Sequence, residues 1–227
     1  MDRRARVLAL LADGDPAQPM PDRVCAASVK ALGINGAGIS VISSDAHRVV
    51  VSGTDEASRQ LEDLQFVLGD GPCVEACTTG GPVIVPDLAA EKATRWPGLA
   101  TASLAAGIRA VFAFPLQIGA IRLGAIDFYR DRTGPLDDEA LADALVFADV
   151  ATLALLTVRT TADENVTDWL AGAPSVVYQA SGMVRVHLGI GIDDALLRMR
   201  AYAFAHNLPI STVGKLIVSE QLRLENE

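Results

Sequence analysis

Ala110-Val-Phe-Ala-Phe-Pro-Leu116 and Leu123-Gly-Ala-Ile-Asp-Phe-Tyr129 are apolar, aromatic-containing runs separated by six residues around Gly119. Their length and residue types predict two adjacent strands joined at that glycine. Upstream, Pro82-Val-Ile-Val-Pro86 is a shorter strand whose flanking prolines suit a sheet edge. Further back, Ala37-Gly-Ile-Ser-Val-Ile-Ser-Ser44 and Arg48-Val-Val-Val-Ser52 read as a hairpin closed by Asp45-Ala-His47.

Between and around these strands the period changes to that of helices. Helices are expected over Arg3 to Ala12 and Asp22 to Leu32, the second capped by Asp22 and stopped by Gly33. A third runs from Glu56 to Leu68 and ends in the loop Gly69-Asp-Gly-Pro72. A loop and helix fill Asp87 to Ala106, and Asp137 opens a long alanine-rich helix to about Thr160. The resulting order is helix, two strands, helix, strand, helix, two strands, helix. It implies an α+β fold with an antiparallel sheet flanked by helices.

The remaining stretch is all helical in pattern. Val176, Val177, Ala180, Met183, Val184 and Leu188 mark one helix, and Gly189 and Gly191 end it. Ile192, Ala195, Leu196, Met199 and Ala203 mark a second, with Asp193 and Asp194 near its dipole-positive start and Asn207 and Pro209 at its end. Ile210, Val213, Ile217, Val218 and Leu222 mark a third, capped by Ser211. Three short amphipathic helices must pack on one another to be stable, so a small all-α bundle is expected. The division is residues 1–160, a linker or continuing helix over 161–174, and the bundle over 175–227. Pattern alone goes no further than a bundle suited to protein interaction.

The 227 residues carry a net charge of −9, half are hydrophobic and only 5% are aromatic. This is a globular composition, and the charge opposes a general nucleic-acid or membrane-surface binder. From Ser175 onward, five Arg or Lys (Arg185, Arg198, Arg200, Lys215, Arg223) balance five Asp or Glu. No run reaches eighteen uninterrupted apolar residues, so no membrane span is expected. The N-terminal apolar run ends at Asp13, too short for a secretory core. Three cysteines, Cys25, Cys73 and Cys77, are too few for a disulfide framework and fit a reducing, cytoplasmic setting.

The order of elements over about residues 20–155, together with Leu68-Gly-Asp-Gly-Pro-Cys-Val-Glu-Ala76, resembles a GAF domain, in the form found fused to ANTAR modules in actinobacteria. The resemblance implies a sensory domain with a small-molecule pocket between sheet and helices. It identifies no ligand. The Asn-Lys-Phe-Asp-Glu set of cyclic-nucleotide GAF domains is not found, nor is a Gly-x-x-x-x-Gly-Lys phosphate loop. Cys73 and Cys77 stand one helical turn apart. They read as small buried residues, as a redox pair like that of GAF-type methionine sulfoxide reductases, or as partial metal ligands short of a full set. Asp127 reads as a pocket carboxylate or a solvent-facing strand position. His47, His187 and His206 form no catalytic constellation with a nucleophile, and no enzyme is expected.

Gln179-Ala-Ser-Gly-Met-Val184, Ala195, Leu196, Met199-Arg-Ala-Tyr-Ala203 and Ile210-Ser-Thr-Val-Gly214 resemble the ANTAR domain, which binds paired RNA hairpins in nascent transcripts and prevents terminator formation. Ser181 and Gly214 depart from the usual lysine and alanine of that pattern. The resemblance implies Gln179, Ser181 and Arg200 at an RNA face, with Arg185, Arg198 and Lys215 contacting backbone. Ala180, Gly182 and Ala203 would permit close helix packing, and Tyr202 would stack on a base or fill the core. The expected protein is a homodimeric antitermination regulator binding structured RNA in mRNA leaders, with no DNA or membrane partner. Ala140, Leu141, Ala144, Leu145 and Ala148 supply either a dimer seam or a face packed on the sheet. Its rivals are a dimerisation scaffold without RNA binding and a thiol enzyme using Cys73 and Cys77.

Overall fold

The computed structural model describes residues 2–42, 48–91, 95–160, 174–206, 208 and 210–225. The chain forms two compact units, Met1–Ala162 and Asp163–Glu227. The expected hairpin turn at Asp45-Ala-His47, most of the 161–174 segment, Asn207 and Pro209 lie outside the described residues.

The front unit begins with α1 (Arg3–Ala12) and α2 (Met20–Leu32). Strands β1 (Gly36–Ile42) and β2 (Arg48–Gly53) follow, then α3 (Glu56–Leu68) and α4 (Pro72–Thr79). Next come β3 (Val83–Val85), the short α5 (Leu88–Glu91) and α6 (Pro97–Ala105). The unit ends with β4 (Ala110–Ile118), β5 (Ile121–Arg130) and α7 (Asp138–Thr160). The two runs around Gly119 are thus the β4–β5 hairpin, paired from Ala110–Arg130 to Ile118–Ile121. All neighbours are antiparallel in a five-stranded sheet of order β2-β1-β5-β4-β3, which places β3 at an edge.

Local signals explain most element ends. Gly33 adopts a left-handed φ of 57° where α2 stops. Asp55 caps α3 by accepting from the Ser58 amide, and Ser58 Oγ returns a contact to the Asp55 amide, a capping box. Asp137 caps α7 by accepting from the Ala140 amide. Two expected caps are corrected. The residue before α2 is Pro19, so Asp22 lies inside the first turn, where it accepts from Ser52 Oγ at 2.6 Å. The third helix of the back unit starts at Ile210, which places Ser211 within it.

The sheet is covered on both sides. Helices α2 and α7 pack on one face, with α1 against both of them, while α3, α4 and the α5–α6 segment cover the other. Side chains alternate along each strand, so the two faces have different compositions. Phe112, Phe114 and Phe128 fill the α2/α7 side, where the Phe114 and Phe128 rings meet at 5.6 Å. Gly38, Ser40, Ala113, Ala125 and Asp127 belong to the α3/α4 side, a floor of small or polar residues. Ala144 and Ala148 are buried, so this part of the expected seam packs within the unit, while Leu145 and Leu153 remain exposed at 46% and 47%. Asp138–Thr157 is long and apolar enough on average to cross a membrane, although Asp143 and Asp149 interrupt it, so no run of eighteen uninterrupted apolar residues occurs there. Just over half of it is buried against the rest of the unit, as in a core helix.

The back unit contains α8 (Pro174–Leu188), α9 (Ile192–Ala205) and α10 (Ile210–Val218). Val177, Ala180, Ser181 and Val184 of α8 meet Ala195, Met199 and Ala203 of α9 and Ile210, Val213 and Ile217 of α10. The three apolar stripes therefore form one core, as the periodicity predicts. Leu222 falls after the third helix.

Candidate functional site

The small floor of the α3/α4 side leaves room for polar side chains from the helices above it. Gly38 pairs with Asp127 across β1 and β5. A Cβ at position 38 would come within 3.0 Å of Glu62 Cγ and Oε1, so glycine there admits Glu62 to the sheet. Glu62 and Gln65, one turn apart on α3, are both fully buried, and Asp127 is only 2% exposed.

A continuous network joins Asp127, Gln65, Cys73 and Ser40. Gln65 Nε2 donates to Asp127 Oδ2 at 2.6 Å, and Gln65 Oε1 accepts from the Cys73 amide at 2.7 Å. Cys73 Sγ lies 3.2 Å from Ser40 Oγ. One amide side chain thereby fixes a strand carboxylate and the start of α4 together. Ligand atoms of Glu62, Cys73 and Asp127 all lie within 4.8 Å of one another. Leu61, Ala76, Leu99 and Tyr129 belong to one apolar cluster in the core of the same unit. Tyr129 Oη donates to Asp55 at 2.5 Å, and burial followed by this bond to a carboxylate raises the phenol above its ordinary range.

Asp127 is therefore a buried interior carboxylate rather than a solvent-facing strand position. Cys73 and Cys77 are both buried, neither is in a disulfide, and both pack with Ala125. Packing is one role of this pair, and Cys73 also belongs to the polar network. Glu62, Gln65 and Ser40 were not singled out from sequence. Outside this site, Arg95 pairs with Glu75 at 2.6 Å and lies 4.1 Å from the Trp96 ring centre, joining α4 to the segment before α6.

Cys25, on α2, is a separate buried thiol. Loss of hydration pushes its pKa from 9.0 to about 12; the bond to Ser52 opposes this, and the nearby Asp22 and Glu62 charges add to it.

In the back unit, Gln179, Arg185 and Lys215 are exposed, while Arg198 and Arg200 are half-buried. Arg198 donates to the Glu225 carbonyl at 3.0 Å. Ser181 is a correction: it is 1% exposed, and its hydroxyl donates to the Tyr178 carbonyl. It belongs to the stripe of α8 that meets the other helices, so it cannot present itself at a surface. Gly182 is a second correction, because a Cβ there would meet nothing within 4 Å. The close approach occurs at Gly214 instead, where a Cβ would lie 3.2 Å from the Val176 carbonyl oxygen and the Val177 Cα. Ala180 and Ala203 are buried as expected, and Tyr202 is half-buried and stacked on His206 with ring centres 3.9 Å apart. Gln179, Met183, Val186, His187 and Arg223 line an open groove of about 820 Å3 beside α8.

Residues 20–155, more than half of the chain, match the family model described as the GAF domain. The fold is similar to that of the GAF domain from a phosphoenolpyruvate-protein phosphotransferase of Coxiella burnetii, with 14% identity and a TM-score of 0.55 over 70% of this chain and 93% of that one. It is also similar to the corresponding Acinetobacter domain, at 7% identity and a TM-score of 0.54 over 71% and 95% of the two chains. A domain of a putative two-component sensor histidine kinase from Sinorhizobium meliloti 1021 shares 18% identity and a TM-score of 0.51 over 65% and 96%. No curated protein matches the chain.

Proposed function

The chain belongs to the GAF domain family, a family of small-molecule sensing domains in signalling proteins, and from that premise we propose that its front unit controls RNA binding by its back unit. In this reading the protein is an antitermination regulator, and the back unit is an ANTAR-type module for paired RNA hairpins. It performs no chemical step of its own. Occupancy of the polar interior beneath α3 and α4 favours one arrangement of the front unit, and thus one population of RNA-competent molecules.

The observation that carries the RNA reading is the disposition of charge on the back unit. Arg185 and Lys215 are exposed, and no ion pair among the described residues engages them or Arg198 and Arg223. Their charges are available to an external polyanion, although the unit as a whole is neutral. The buried positions Ala180, Ala195, Met199, Ala203, Ile210 and Val213 coincide with the apolar part of the ANTAR-like pattern, which adds support. Ser181, being internal, has no place in the contact set.

Binding of the full-length protein to a labelled RNA with two tandem hairpins, beside a scrambled control and across a salt series, tests this reading. The hairpin RNA is expected to bind more tightly than the control. Arg185→Ala with Lys215→Ala should weaken binding at least about tenfold and lower the salt slope by roughly two, about one for each lost phosphate contact. Exposed positions are chosen because Arg200→Ala would also disturb a half-buried side chain. Equal, weak binding of both RNAs would overturn the RNA reading in favour of the scaffold, which the exposed Leu145 and Leu153 on α7 independently favour.

A further inference from the structure

On the sensory reading of the front unit, and independently of RNA binding by the back unit, we propose that Glu62, Cys73 and Asp127 form a binding site for a divalent transition-metal ion of the zinc class. The three residues come from α3, α4 and β5, and all are buried. Their carboxylate and thiol ligand atoms already converge to within 4.8 Å of one another. Around a tetrahedral ion with ordinary bond lengths, neighbouring donors stand roughly 3.5 Å apart, so side-chain rotations of about 1 Å complete the set.

The surroundings have the organisation of a supported metal site. Metal ligands are typically held by an outer layer of hydrogen bonds that fixes their orientation. Here Gln65 holds Asp127 through its Nε2 and anchors the Cys73 amide through its Oε1. Ser40 holds the sulfur from below at 3.2 Å. Gly38 supplies the clearance that brings Glu62 down beside Asp127. Two donors are thereby oriented by partners from a third helix position and a neighbouring strand, and the remaining donor is seated by the missing Cβ.

The donor set selects the class of ion. One sulfur with two carboxylates suits a borderline cation such as zinc, whereas an all-oxygen set would suit magnesium or calcium. On binding, the Cys73 thiol gives up its proton to solvent and the thiolate, with the two carboxylates, offsets the charge of the ion. Three negative charges against two positive leave a net charge of −1, so the ion lowers the cost of holding the carboxylates away from water. Three protein ligands leave the fourth position of the tetrahedron for a donor atom of an incoming small molecule.

The test is a titration of chelator-stripped, full-length protein with Co2+ as the spectroscopic probe. One equivalent should bind and produce the thiolate-to-cobalt charge-transfer absorption, which added Zn2+ then abolishes. The Cys25→Ser, Cys77→Ser double variant should keep the band, leaving Cys73 as its sole source of sulfur. Cys73→Ser should lose the band, and Asp127→Asn should bind at least about tenfold more weakly, as expected on loss of a supporting or ligating group. Circular dichroism checks that each variant is folded. Failure of the folded wild-type protein to bind cobalt, or a band that disappears in the double variant while surviving in Cys73→Ser, would overturn the proposal. Neither result involves RNA, so a failed hairpin assay and a failed titration remain distinguishable.

Discussion

At the scale of single residues, burial rather than identity decides chemistry in the front unit, and Cys25 shows it most simply. Its folded pKa of about 12 exceeds the ordinary 9.0, so the folded state retains the proton after the unfolded chain has released it. The contribution to stability is full below pH 9 and is lost as pH rises toward 12. The loss approaches about 1.4 kcal/mol per pH unit in that window. Cys25→Ser carries a hydroxyl that does not ionise there. Denaturant unfolding of the two proteins from pH 8 to 11 should therefore show the wild type losing stability relative to the variant, and parallel curves would disprove the assignment. Sequence reading found Cys73 and raised Asp127 as a pocket residue, yet missed Glu62. A glutamate on an amphipathic helix reads as solvated, and only the glycine at position 38, far away in the chain, reveals that its side chain turns inward.

At the scale of elements, the two helical glycines of the back unit make opposite predictions from the same chemistry. Glycine inside a helix costs about 1 kcal/mol relative to alanine. Gly182 faces open space, so Gly182→Ala should stabilise the back unit by about that amount. A Cβ at position 214 would lie 3.2 Å from the α8 backbone, where overpacking typically costs about 1–3 kcal/mol. The helix gain offsets part of this cost, and Gly214→Ala should leave the unit about 1 kcal/mol less stable. Urea unfolding followed by circular dichroism measures both, and equal effects would refute the packing account. The strands and helix stripes were legible because period and turn residues act locally. The caps at Asp22 and Ser211 were not. An acidic or hydroxyl residue near a helix start reads as a cap, but Met20 already begins α2 and Ile210 already begins α10. Which glycine is the close contact was likewise illegible, because it depends on how two helices approach.

At the scale of the whole molecule, the paired-hairpin reading requires two RNA-binding units to act together, and α7 offers the surface on which chains could join. The seam read from sequence divides in two. Ala144 and Ala148 belong to the core, whereas Leu145 is exposed; Leu153, eight residues further along the helix and outside that seam, is exposed as well, with Asp149 between the two. Eight residues are slightly more than two helical turns, so the two leucines share a face that an identical helix of a second chain could cover. Linking two RNA-binding units raises the effective concentration of the second hairpin contact, so dimer formation should strengthen binding to tandem hairpins much more than to one hairpin. Leu145→Lys with Leu153→Lys should convert a dimer to a monomer by sedimentation velocity without disturbing the fold, since neither side chain is in the core. The same variant should lose the preference for two hairpins over one while retaining weak binding to a single hairpin. A wild-type protein that is monomeric at the concentrations used for RNA binding would refute this role for α7. A dimer whose leucine variant still prefers tandem hairpins would place the cooperating contact elsewhere in the chain.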